Sequence, residues 1–330
     1  MEHRTLDPTS LFEMFAAIPN HGGRRPLVSD FIDLPDNPEL RDAIHLRHTL
    51  LAAQLGAKFA ENSLRSGGGE AEAKANIGDV VSKADKIADL MACYLMHQYY
   101  PDAVVIGEET SPDETPVVGR RFGTVDGLDG SAAAVAGLHG QYGTMVGLAD
   151  MISEELVRYI AAAVVQPSTL NAFCAETGKG AWKNSGVGTP YVRLEGLKPG
   201  FGLERGHVVF NRQRFDRDED PRVTKLLCQM RDPRNLGRIP QQVRCDLPSS
   251  VMGLDVFDQH SAVVAVVHDS SSESAKQKIW DKLPIFVIGN EVEGVVIRTL
   301  DDRPASLFRD EPFVVAASRE IYEKVLSLLQ

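Results

Sequence analysis

GTVDGLDGSAAAVAGL, residues 123–138, is the stretch on which the reading of this chain turns. An apolar run ends at Asp126, and Asp129 follows three residues later among glycines. The small residues from Ser131 onward read as the start of a helix. Two carboxylates held so close repel one another unless something positive lies between them. A lysine, an arginine or a metal ion could fill that role, and the rest of the chain bears on which.

The 330 residues are enough for a large core, folded as one α/β domain or as two lobes. Apolar residues make up 43% and charged residues 25%, as in an ordinary soluble globular protein. The net charge of −11 argues against a nucleic-acid polymer gripped by a basic surface, though not against one nucleotide in a pocket. The four cysteines, Cys93, Cys174, Cys228 and Cys245, lie far apart with no C-x-x-C, so buried free thiols are expected. No signal peptide is read at the N-terminus. No run approaches the ~20 apolar residues of a membrane helix, so a cytoplasmic location without membrane contact is expected.

Residues 1–36 mix Pro, Gly and charge and read as an extension, with one short helix at 11–17. A helix is expected over 39–64, with Leu40, Ile44, Leu51, Leu55 and Phe59 on one face, although Arg47 and His48 interrupt it. SGGGEAEAKANIG then reads as a mobile loop. A second helix spans DVVSKADKIADLMACYLMHQYY, and the strands AVVIG and RFGTV stop at Glu108 and Asp126. Residues 142–210 are strand-rich and include a hairpin at NAFCAETGKGAWKNSG. Beyond them come a helix near 221–231, a mixed segment at 253–269, a helix running into a strand at 280–297, and a final strand and amphipathic helix. Helices alternating with groups of strands point to a layered α/β fold. Two lobes are expected, 37–200 and 201–330.

Four acidic clusters fall mostly where strands or helices end: Asp79 with Asp85, Glu108 with Glu109, Asp126 with Asp129, and Asp281. Such ends let distant carboxylates converge on one cleft. Hard oxygen ligands without a histidine–cysteine set point to magnesium or manganese. Taken singly, each cluster reads as solvated loop acids, and D-x-x-D is weak evidence. Their joint order and spacing carry the argument.

That joint pattern resembles the inositol monophosphatase superfamily of magnesium-dependent, lithium-sensitive phosphomonoesterases. Its members include inositol phosphatases, fructose bisphosphatases and 3′(2′),5′-bisphosphate nucleotidases. DVVSKAD matches D-x-V-T-x-x-D, VIGEET matches the G-E-E segment, VDGLDGS matches D-P-x-D-G-[TS], and KIWD matches the W-D motif. The hairpin and the closing strand FVVAAS fit as well, so the resemblance spans about residues 40–330. It implies a layered αβαβα sandwich, α/β (α+β) in class, in which Glu108, Asp126 and the Leu128 carbonyl hold one metal. Asp126, Asp129 and Asp281 would hold a second, with Glu109 behind them and a third, weaker ion near Glu108. Two or three Mg2+ ions are thus implied, with Mn2+ as a substitute. Asp85 and Ser131 would orient and deprotonate the attacking water. The N–H groups of Gly130 and Ser131 would receive phosphate oxygens, which agrees with the anion preference of a helix N-terminus. Glycine at 130 also removes a side chain that would block close approach.

Three departures from the family pattern stand out. Gly127 replaces a proline, which is expected to leave the turn less constrained before metal binding. KLP, Lys282–Pro284, replaces small residues after W-D. A proline in a first helical turn is tolerable, yet Lys282 brings a bulky cation near the site. EVEG places Glu293 where a glycine is expected. None removes a ligand.

Substrate choice is less legible. AKQKIWD resembles the bisphosphate nucleotidases more than the inositol enzymes, with Ser274 where the latter carry glutamate. Lys278 is a candidate for holding a phosphate or ribose, against the plain reading of a surface lysine. Arg205, Arg212, Arg214 and Arg244 are candidates for a second phosphate, while His139, His207 and His260 read as structural or solvated. The nucleotidases' D-S-Q-x-K-Y is absent, with SSVMGLDVFDQ near its place. The expected activity is hydrolysis of a small sugar, cyclitol or nucleoside phosphate. A nucleotidase-like enzyme and a non-catalytic metal- and phosphate-binding homologue are the alternatives. The partner expected is a small phosphorylated metabolite, with a homodimer left open. A dehydrogenase lacks its G-x-G-x-x-G.

Overall fold

The computed structural model describes residues 38–66, 71–73, 80–135, 142–186, 189–196, 202–211, 220–232, 234, 242–246, 250–269 and 278–329. The expected extension over 1–36, its helix at 11–17, and Asp79 lie outside these residues. Among the described residues, no helix is long and apolar enough to cross a membrane.

A short 3-10 turn at Pro38–Leu40 precedes helix α1, Ile44–Arg65. Leu51, Leu55 and Phe59 are buried as expected, but Ile44 is 55% exposed at the helix start. His48 is partly buried because its ring stacks on Tyr99, with centroids 3.9 Å apart. The loop expected after α1 contains strand β1, Ala71–Ala73, paired antiparallel with β2, Val80–Ser82. The second helix, α2, therefore starts at Lys83 rather than 79 and runs to Tyr99. Two adjacent β-branched residues favour extended backbone there. Ser82 then caps the helix by accepting from the Asp85 amide at 3.2 Å.

Next come β3, Val104–Gly107, and β4, Arg121–Asp129, followed by the short helix α3, Ser131–Val135. Strands β5, Gly143–Met151, and β6, Val157–Val165, lead to the expected hairpin of β7, Ala172–Glu176, and β8, Gly180–Asn184. With β9, Val192–Arg193, they form a seven-stranded sheet ordered β3-β4-β5-β6-β7-β8-β9. All its pairings are antiparallel except β3 with β4.

The second sheet contains β10, His207–Asn211, β11, Gln242–Asp246, and β12, Val263–His268, which run parallel. Between these strands lie α4, Pro221–Arg231, and α5, Leu254–Phe257. Helix α6, Ile279–Asn290, β13, Val296–Thr299, β14, Phe313–Ala316, and α7, Arg319–Ser327, complete the chain. The strand order is β11-β10-β12-β14-β13.

Alternation along β5 separates the two faces of the larger sheet. Thr144 meets α1 at Gly56, whereas Gly147 meets Leu283 of α6. Helix α6 is thus sandwiched between the sheets. Phe122, Met145 and Val164 of one sheet, Leu283 and Phe286 of α6, and Val266 and Val314 of the other share one apolar cluster. Helices α4 and α7 pack on the smaller sheet, which makes the layered αβαβα sandwich that the sequence implied. Pro284 sits in the second turn of α6, not the first, so it removes one bond of the helical ladder. Burial of Leu283, Ile285, Phe286, Val287 and Ile288 holds the helix together regardless.

Cys93 and Cys174 are buried free thiols as expected, but Cys228 is exposed. Helix α4 buries Val223, Leu226 and Met230, and Cys228 falls off that face.

Candidate active site

Parallel pairing of β3 with β4 sets Gly107 opposite Val125, so the residues that follow, Glu108 just past the end of β3 and Asp126 within β4, stand side by side. The Glu108 amide still bonds the Val125 carbonyl at 3.1 Å. Strand β4 does not stop at Asp126; it continues to Asp129, with a break of register between the two aspartates. A bulge of this kind re-aims side chains. Here it brings both aspartates to the same cluster.

Asp126, Asp129 and Asp281 present carboxylate oxygens that all lie within 4.8 Å of one another. Asp281 arrives from the first turn of α6, where its Oδ2 accepts from the Lys278 amide at 2.7 Å. Asp129 Oδ2 accepts from the Val251 amide at 2.7 Å, and Asp126 Oδ1 from the Leu128 amide at 2.9 Å. Burial raises the Asp126 carboxyl well above the usual carboxylate range, and Glu108, Asp129, Asp281 and Asp85 raise it further. Asp281 is raised for the same reasons, by burial first and then by Asp129 and Glu108. A divalent cation would relieve this repulsion, and an all-oxygen donor set suits a hard ion. The residues present therefore fit a metal of the magnesium type.

Asp85, at the third position of α2, is 1% exposed. Its Oδ2 accepts from the Ser131 hydroxyl at 2.6 Å, which also approaches the Leu128 carbonyl at 2.9 Å. Gly130 before it has φ 83°, a left-handed conformation natural to glycine. The Gly130 carbonyl accepts from Ala133 and Ala134, so Gly130 opens α3 and the Ser131 side chain turns back toward Asp85.

Gly127 is not loosely held. A Cβ there would lie 2.4 Å from the Asp89 nitrogen and 2.5 Å from the Asp85 carbonyl oxygen, and its own carbonyl accepts from Thr144 Oγ1 at 2.7 Å. Close packing against α2 constrains the turn in place of a proline ring. Lys282 is 1% exposed and donates to the Arg309 carbonyl at 2.8 Å. Burial lowers its ammonium, against the pull of Asp310, Asp281 and Glu311. Glu293 is exposed in the turn after α6, where it leaves helix packing undisturbed.

Lys278 is exposed, with its amide rather than its side chain engaged at Asp281. Arg205 is exposed, His207 partly buried and His260 exposed. Arg212, Arg214, His139, Ser274 and the side chain of Arg244 lie outside the described residues. Sequence reasoning missed Asp89, which is fully buried one turn after Asp85 on α2. Burial raises its carboxyl to about 7, against hydrogen bonds from Thr110 and the Glu109 amide. The available signal was an acid four residues from Asp85, on the same helical face.

The inositol monophosphatase family matches residues 45–330. The chain belongs to that family. It is accordingly a phosphatase, of a metal-dependent family. No curated protein matches the chain. An IMPase from Thermotoga maritima has the same fold at 17% identity, with TM-score 0.64 and coverage of 87% of this chain and 96% of that one. A staphylococcal inositol monophosphatase in a LiCl-soaked inhibitory complex is 17% identical, with TM-score 0.60, covering 78% and 84%. An IMPase/NADP phosphatase complexed with Mg2+ and phosphate is 18% identical, with TM-score 0.58, covering 78% and 85%.

Proposed function

We propose that this family member is a Mg2+-dependent phosphomonoesterase acting on a small phosphorylated metabolite, a sugar, cyclitol or nucleoside phosphate. The observation that carries the reading is the convergence of Asp126, Asp129 and Asp281 within 4.8 Å. In this assignment Asp126, Asp129 and Asp281 hold one ion, and Glu108, Asp126 and the Leu128 carbonyl hold another. Magnesium bound there would neutralise phosphate charge, acidify water and stabilise the leaving alkoxide.

The protein's own part in the chemistry is proton handling and orientation. Ser131 donates to Asp85 Oδ2 at 2.6 Å, which leaves the Ser131 oxygen able to accept from an attacking water. As that water loses its proton to Ser131, the Ser131 proton passes to Asp85. In this reading the Gly130 and Ser131 amides, at the opening of α3, receive phosphate oxygens. The Asp85–Ser131 pair also favours an enzyme over a mere binding protein, since binding needs no group to take up a proton.

The test is phosphate release from a panel of inositol, fructose, ribose and adenosine phosphates, with Mg2+, with excess chelator and with Li+. At least one ester is expected to be hydrolysed only with Mg2+ and to be protected by Li+. Release undiminished in chelator would overturn the reading.

A further inference from the structure

Asp89 stands apart from the cluster of Asp126, Asp129 and Asp281, yet it touches both turns that carry proposed ligands. Its Oδ1 accepts from the Thr110 hydroxyl at 2.6 Å, and its Oδ2 from the Glu109 amide at 3.4 Å. The Cys93 thiol, one helical turn on, approaches Oδ1 at 3.7 Å. No cation is among these partners. A carboxylate fully buried against neutral donors is costly compared with an apolar residue of similar size.

Two glycines make room for it. A Cβ on Gly107 would lie 2.5 Å from Asp89 Oδ1 and 2.4 Å from Thr110 Oγ1. A Cβ on Gly127 would lie 2.4 Å from the Asp89 nitrogen and 2.9 Å from its Cα. The side chain of Asp89 therefore meets the turn after β3, while its main chain meets the turn between Asp126 and Asp129. The first turn closes on itself without Asp89, because Ser111 Oγ accepts from the Gly107 amide at 2.9 Å and donates to the Val105 carbonyl at 3.0 Å. What Asp89 adds is the registration of that closed turn against α2, and so against Asp126.

We infer that Asp89 is a positioning residue, which with Thr110 fixes the turn bearing Glu108 and Glu109 relative to the Asp126–Asp129 turn and so sets metal affinity. This inference rests on the metal-dependent reading above. Groups that orient a ligand from behind typically contribute 10–100-fold to metal affinity or activity.

The experiment is titration of metal-free protein with Mn2+, followed by electron paramagnetic resonance of the free ion and carried out well below each variant's thermal midpoint. Asp89→Ala and Thr110→Val are both expected to weaken Mn2+ binding by about 10–100-fold. They should also raise the Mg2+ concentration for half-maximal phosphate release while leaving the substrate KM nearly constant. Asp89→Asn keeps an oxygen for Thr110 but turns its amide toward the Glu109 N–H, so an intermediate loss is expected. If Asp89→Ala does not fold, Thr110→Val carries the test, since it keeps the side-chain shape and removes only the hydroxyl. Mn2+ affinity within about twofold of wild type in the folded variants, whatever their midpoints, would overturn the inference alone. Failure of the wild-type protein to bind Mn2+ would overturn the metal reading and this inference with it.

Discussion

Replacing Gly127 by alanine adds one methyl group where the Asp126–Asp129 turn touches α2. The new Cβ would sit 2.4 Å from the Asp89 nitrogen and 2.5 Å from the Asp85 carbonyl oxygen. Ordinary contact begins near 3.4 Å, so the turn and the helix must part by about 1 Å. Both obstructing atoms are main chain within a helix, and no side chain can swing aside to absorb the change. Overpacking of this kind costs about 1–3 kcal/mol. The larger effect is on chemistry, because the shift moves Asp85 relative to Ser131, whose bond spans 2.6 Å. A misplacement of about 1 Å can lower a rate by on the order of 10²-fold. The assay is kcat at saturating substrate and Mg2+, together with the thermal midpoint of the metal-free protein. Both are expected to fall, kcat by on the order of 10²-fold. The same collision bars a proline at this position, so Gly127→Pro should do no better. Near-normal kcat with an unchanged midpoint in Gly127→Ala would refute the claim that α2 is packed against this turn.

Asp126→Asn should abolish turnover while the fold survives, because the amide is a weaker ligand and its neutrality relieves repulsion in the metal-free cluster; near-normal activity at low Mg2+ would count against a bridging Asp126. Ser131→Ala should lower kcat by about 10²- to 10⁴-fold with Mn2+ affinity nearly intact, and unchanged turnover would remove Ser131 from the proton path. The metal-free protein should lose stability as pH rises. Asp126 and Asp281 are raised by burial and by their acidic neighbours, and Asp89 by burial to about 7. The folded state therefore holds protons that the unfolded chain releases, so their contribution is fully present below about pH 4 and declines as pH climbs through the folded values. For Asp89 the rise from 3.8 to about 7 is worth about 4 kcal/mol. The metal-free midpoint should fall between about pH 5 and pH 8, with Mg2+ restoring most at the upper end; a midpoint that rises over that range would contradict the sign.

Much of the layered fold was legible because its signals are local. The apolar spacing of Leu51, Leu55 and Phe59 in α1 and the Gly-bearing turn between β7 and β8 lie within a few residues of sequence. The start of α2 is not legible, because Val80–Ser82 pair with β1, a contact no helical periodicity reports. The spacing of Ile44 fits the buried face, yet the 3-10 turn at Pro38–Leu40 ends before α1 begins, which leaves Ile44 at the exposed helix start. At the site, the acids at element ends were visible as a set. The Gly127 contact was not, since its tightness depends on how closely two separate elements approach. Asp89 was hidden for a related reason: an acid inside a helix reads as solvated until the turn packed over it is known. Lys282 shows the same limit, because a buried ammonium tied to the Arg309 carbonyl is spelled like any surface lysine.

The proposed metal assignment puts the divalent ions that the chemistry needs in one carboxylate cluster. Its most direct test is anomalous diffraction from crystals soaked in Mn2+ and phosphate. Two Mn2+ peaks are expected, both against Asp126, one shared with Glu108 and the Leu128 carbonyl and the other with Asp129 and Asp281. Saturating Mn2+ with no peak among these residues, or with peaks only elsewhere, would contradict it.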